Sequence, residues 1–96
     1  MKYLLDPAAI LEIDEAVVYY NKQKPRLGEE FLEELRTTLR LILENPTRFA
    51  LLARPIRRAK LQRFPYGIVY APRRRAIYIL AVMHLQRRPD YWKDRI

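Results

Sequence analysis

The chain has 96 residues, 19 Lys and Arg against 11 Asp and Glu, no cysteine, and a formal net charge of +8. A length of this order suits one small domain, residues 1–96, burying roughly 60–65% of the surface that its unfolded chain exposes, and leaves no room for a two-domain enzyme. Half of the residues are hydrophobic and only two are glycine, which excludes a disordered basic tail, and the absence of cysteine excludes a disulfide framework or a thiolate metal site. The apolar stretches are only a few residues long and the N-terminus carries no signal-peptide core, so a cytoplasmic protein without membrane contact is expected.

In chain order, Tyr3-Leu4-Leu5 reads as a β-strand stopped by Asp6-Pro7. Asp as N-cap and Pro at the first helical position start a helix, because the carboxylate accepts an orphan N–H and Pro has none to orphan. Its buried stripe is Ala9, Ile13, Ala16, Val17 and Tyr20, with Glu12, Asp14 and Glu15 outside it, and it ends near Lys24 before Pro25. A second helix starts at Leu27-Gly28, with Glu29, Glu30, Glu33 and Glu34 in its first turns, where the helix dipole favours carboxylates. Phe31, Leu35, Leu39 and Ile42 form its stripe, flanked by Leu32 and Leu43, and Asn45-Pro46 ends it. The short connection makes the two helices an antiparallel hairpin.

Beyond Pro55 the period changes from 3.6 to 2. Ala59 and Leu61 alternate with Arg58, Lys60 and Gln62, as in a strand with one wet face. Tyr66 to Ala71 and Ile77 to Met83 are further strands, joined by a hairpin tip at Pro72-Arg73-Arg74-Arg75. The last strand is apolar on both faces, which predicts an interior position under helices. A short helical turn from Pro89 through Trp92 to Arg95 closes the chain. The fold class is therefore α+β: an N-terminal strand, an antiparallel helical hairpin packed on a mostly antiparallel sheet of about four strands, and a short C-terminal helix.

Charge divides along the same line. Residues 1–52 carry seven basic and nine acidic side chains, a net of −2, whereas residues 53–96 carry twelve basic and two acidic ones, a net of +10. Such asymmetry points to a polyanionic partner: nucleic acid, an acidic protein segment or anionic lipid. The face opposite the helices is expected to display some of Arg57, Arg58, Lys60 and Arg63, with the residues after Met83. Four like charges there repel one another unless something occupies that face.

Most catalytic chemistries lack their residues. One histidine and no cysteine give no metal-ligand cluster, so neither metal nor cofactor is expected. The chain has no serine for a triad. Gly28 and Gly67 cannot build a phosphate loop. Arg, Lys, His and Tyr remain, a set that suffices for metal-free RNA cleavage through the ribose 2′-OH.

The order and spacing of several segments carry a resemblance. They are Tyr19-Tyr20, Leu27-Gly28 with Phe31 and Leu35, Asn45-Pro46, Ile56-Arg57-Arg58, Arg63 to Tyr70, Ile79 to His84, and Arg88-Pro89-Asp90-Tyr91-Trp92. Together, over nearly the whole chain, they resemble the RelE/ParE superfamily of bacterial type II toxins. That resemblance implies a helical hairpin on an antiparallel sheet and a co-encoded antitoxin that wraps the toxin, giving a hetero-oligomer. RelE-like members cut messenger RNA on the ribosome, and ParE-like members inhibit DNA gyrase. For a RelE-like nuclease, the resemblance assigns His84, Arg87 and Tyr91 to catalysis, with Lys60 and Arg63 on phosphate. The central-strand Arg of that pattern falls at Gly67, which has no side chain to hold phosphate. The Phe64-Pro65-Tyr66 run, His84 and Arg88-Pro89 are closer to the ParE-like branch, where Arg57, Arg58, Lys60, Arg63 and Arg88 would meet the target. A degenerate, non-toxic binding module is the third reading. His84 has a structural alternative as a hydrogen-bonding strand residue, Tyr91 as an anchor of the last turn, and Arg73 to Arg75 as solvated tip residues.

Overall fold

The computed structural model describes residues 2–96. The elements are β1 (Lys2–Leu5), α1 (Pro7–Gln23), α2 (Leu27–Glu44), β2 (Ala50–Ala53), β3 (Ile56–Lys60), β4 (Tyr66–Arg73), β5 (Ala76–His84) and a 3-10 turn at Lys93–Arg95. Five strands form one sheet in the order β1-β5-β4-β3-β2, antiparallel except that β1 runs parallel to β5. The helical hairpin covers one face.

Asp6 starts α1 as expected and also ties it to the sheet. Its carboxylate accepts from the Ala8 N–H at 2.9 Å and from the Tyr78 hydroxyl at 2.7 Å, while its own N–H donates to the Ile79 carbonyl at 2.9 Å. The helices cross closely at Gly28, whose N–H donates to Asn21 Oδ1 at 2.8 Å. A Cβ at Gly28 would lie 2.6 Å from the Val17 carbonyl oxygen, so only glycine permits this approach. Asn21 on α1 thus supplies a capping acceptor for α2, whose own N-cap, Arg26, makes no side-chain cap and sits at φ 69°.

The stripes read from the sequence meet beneath the hairpin. Ala9, Ala16, Phe31, Leu35 and Ile42 pack on Ala59, Ile68, Tyr70, Ile77, Ile79 and Val82. Tyr70 is fully buried, and its hydroxyl donates to the Pro46 carbonyl at 2.7 Å, fixing the chain after α2.

Three expectations change. The sheet has five strands rather than about four: Ala50–Ala53 pairs with β3 as an edge strand exposed along its length, so it carries no alternation of apolar and polar residues to reveal it. The C-terminal helix is only a 3-10 turn preceded by turns, with the Lys93 N–H donating to the Asp90 carbonyl at 3.0 Å and the Arg95 N–H to the Trp92 carbonyl at 3.0 Å. The sheet's second face is not open throughout, because Trp92, 3% exposed, roofs Ile56, Val69, Ala71, Leu80, Ala81 and Met83.

Strand β5 contains a bulge. Val69 pairs with Ala81 and Tyr70 with Ile79, leaving Leu80 as the extra residue. Leu80 and Ala81 both join the Trp92 layer, whereas Ile79 and Val82 join the helix layer.

Candidate functional site

Since β1 pairs only with Ala76 to Ile79, β5 runs past it and leaves its outer edge without a strand neighbour at Leu80 to His84. Side chains cover that edge. Glu12 of α1 accepts from the Val82 N–H at 3.0 Å, and Arg95 donates to the Leu80 carbonyl at 3.1 Å. The two also pair with each other through two bonds of 3.0 Å, their side chains 10% and 18% exposed, and the Tyr91 hydroxyl donates to Glu12 at 2.6 Å. This forked pair closes the edge as a strand would and moors the C-terminal segment to α1. Burial, then the hydrogen bond to Glu12, pushes the Tyr91 hydroxyl well above the ordinary tyrosine range.

Beside this pair lies a cleft of about 520 Å³ between α1 and the end of β5. Glu15, Tyr19 and Tyr20 of α1 form one wall, Tyr66 and His84 the other, and Arg87 and Tyr91 the end. The rings are contiguous: Tyr19 to Tyr20 at 5.2 Å, Tyr20 to Tyr66 at 6.1 Å and Tyr66 to His84 at 5.1 Å between centroids. The Arg87 guanidinium sits 3.9 Å from the Tyr91 ring centroid.

The cleft brings His84, Arg87 and Tyr91 together, and the chain engages them to different degrees. His84 Nδ1 accepts from the Gln86 N–H at 3.1 Å, so a proton on this ring resides at Nε2. Tyr91 is bonded to Glu12, and Arg87 lies on Tyr91.

The basic residues do not share one face. Arg57 is paired with Tyr70 on the helix side and donates to the Phe49 carbonyl at 2.7 Å. Arg58 and Lys60 alternate onto the opposite side. Arg63 lies beyond the strand and pairs with Glu30 of α2 at 2.8 Å, while Glu34 accepts from the backbone N–H groups of Gln62 and Arg63. Arg88 is exposed and pairs with Asp90 at 3.1 Å. The four cations therefore do not share one face: alternation separates Arg57, and loop placement with the Glu30 pair separates Arg63, from Arg58 and Lys60, which stay on the same side. The space above Gly67 is also filled: the Arg58 stem crosses it, with Cγ and Cδ 3.0 Å from where a Cβ would be. Arg58 Nε, like Trp92 Nε1, is buried without a hydrogen-bond partner.

Glu12 was expected among the polar positions of α1. It lies three residues after Ala9 and four before Ala16, the two most buried residues of the helix, and that spacing is the signal for its inward position.

A helical hairpin on this sheet, with a basic second half, is the toxin architecture that the sequence resembles. The family model described as the ParE toxin of the type II toxin–antitoxin system, parDE, matches residues 3–89, and the chain belongs to that family. It is therefore a type II toxin component. The fold is similar to a chain from the chromosomal ParDE TA system of P. aeruginosa, with a TM-score of 0.78 at 14% identity, covering 90% of this chain and 97% of that one. No curated protein matches the chain in sequence.

Proposed function

We propose that this toxin arrests growth by binding DNA gyrase through protein–protein contact, and that a co-encoded antitoxin neutralises it in a cytoplasmic hetero-oligomer. The observation that carries the choice of target is the commitment of the Tyr91 hydroxyl, which donates to Glu12 at 2.6 Å. A nuclease needs an acid, a base and a phosphate clamp free to reach substrate. Of the RelE-like set, Tyr91 is held by Glu12, and the central-strand position of the phosphate clamp is Gly67, crossed by the Arg58 stem. Family membership supports the antitoxin, and the net of +10 in residues 53–96 favours acidic segments on it. Membrane insertion has no support in the fold: among the described residues no helix is long and apolar enough to cross a membrane.

The test adds the purified chain to gyrase with plasmid DNA and, separately, to ribosomes programmed with messenger RNA. Loss of gyrase-dependent supercoiling with intact messenger is expected. Cleaved messenger with normal supercoiling would replace this reading by the RelE-like one, and inactivity in both assays with normal growth on expression would leave only a binding module.

A further inference from the structure

We propose that the cleft between α1 and the end of β5 receives an arginine side chain presented by a partner protein. The inference rests on the cleft's own chemistry and is independent of the identity of the toxin's target. Three observations lead to it.

The first is the wall. Tyr19, Tyr66 and His84 offer contiguous aromatic surface, and Tyr19 is 56% exposed, so a planar cation can reach it. The same cleft already shows this mode of contact, because Arg87 lies 3.9 Å and Arg95 5.0 Å from the Tyr91 centroid. The second is the carboxylate at the rim. Glu12 is consumed by Arg95, but among the described residues no cation lies within salt-bridge distance of the exposed Glu15. A guanidinium entering over Tyr19 would find in Glu15 the partner that the chain itself does not supply.

The third is the sign of the local field. On the α1 side of the cleft the charged lining residues are Glu12 and Glu15, both acidic. The Tyr66 hydroxyl is raised by burial first and then by Tyr19, Glu15 and Glu12. A nucleotide could stack on the same rings, but Glu15 would repel a phosphate placed beside Tyr19. The balance favours a cation over a base with its phosphate.

The probe is N-acetyl-arginine methylamide, titrated into the isotope-labelled chain and followed by amide and tyrosine-ring chemical shifts. Millimolar binding with shifts confined to Tyr19, Tyr66 and their neighbours is expected, and the lysine analogue should bind more weakly. Glu15→Gln and Tyr19→Ala should each weaken arginine binding about three- to fivefold. Both positions are exposed, so an unchanged circular dichroism melt should accompany the loss. Tighter binding of 5′-AMP than of the arginine derivative at these residues would overturn the proposal. So would equal arginine affinity in wild type and both variants, or shifts lying elsewhere on the surface.

Discussion

Replacing Glu12 by Ala tests the role assigned to the β5 edge. The carboxylate takes four hydrogen bonds: one from the Val82 amide, one from the Tyr91 hydroxyl and two from Arg95. Its removal leaves a guanidinium that is 18% exposed without its counter-charge. Breaking a buried ion pair from one side costs about 3–5 kcal/mol, and a stranded buried amide costs about 1–3 kcal/mol. These costs overlap, because the segment can swing outward and hydrate its groups, so a loss of about 3–5 kcal/mol is expected. Against the total of about 5–15 kcal/mol for a typical domain, that is a large share. At about 4–8 °C per kcal/mol, the melting midpoint should fall by at least about 12 °C. Trp92 emission should shift to the red as the C-terminal segment leaves the sheet, because this single tryptophan is 3% exposed in the native chain. Glu12→Gln, which keeps an acceptor for Val82, should lose less than Glu12→Ala. A Glu12→Ala protein destabilised by under about 1 kcal/mol, or one with unshifted Trp92 emission, would refute the mooring role.

Gly28→Ala and Gly67→Ala should differ sharply in chemical denaturation. At Gly28 the new methyl meets the Val17 backbone oxygen at 2.6 Å and should cost about 2–3 kcal/mol. At Gly67 it meets side-chain atoms alone, the Arg58 stem at 3.0 Å and Leu85 Cδ2 at 3.4 Å, which can give way, and should cost under about 1 kcal/mol. In alkali, five of the seven tyrosines, Tyr20, Tyr66, Tyr70, Tyr78 and Tyr91, hold their hydroxyl protons beyond the ordinary value of about 10. Their folded values are raised, so the stability they contribute is complete below about pH 10 and declines as pH rises through the raised values. The tyrosinate absorbance of these five should therefore appear together with unfolding rather than before it. Finally, His84→Ala should retain growth arrest on expression, whereas a nuclease that used this ring would lose toxicity.

Periodicity and helix caps make most of the fold legible in the sequence. Asp6-Pro7, Asn45-Pro46 and the stripes from Ala9 to Tyr20 and Phe31 to Ile42 are local signals, and the elements they define lie where those signals put them. The edge strand Ala50–Ala53 was missed because it buries neither face, so nothing in its residue order distinguishes it from a loop. At the candidate site, the cleft joins His84, Arg87 and Tyr91, which the sequence placed close together near the C-terminus, but the opposite wall comes from α1, some seventy residues earlier in the chain. No local pattern announces such a pairing. A net charge per segment says nothing of facing, and the adjacent strand residues Arg57 and Arg58 point to opposite sides of the sheet.

The extra residue at Leu80 settles which surface owns the end of β5. Side chains alternate with a period of two, so one inserted residue reverses the facing of every residue after it. His84 therefore stands with Tyr66 and α1 instead of with Arg58 and Lys60. Were the same residues laid in strict alternation beyond Ile79, Ala81 and Met83 would pass under the helices and His84 would turn to the far side of the sheet. The histidine's allegiance is thus a matter of counting: deleting Leu80 would take out the bulge and leave His84 beside Tyr66, whereas straightening the strand with Leu80 kept would dismantle one wall of the cleft.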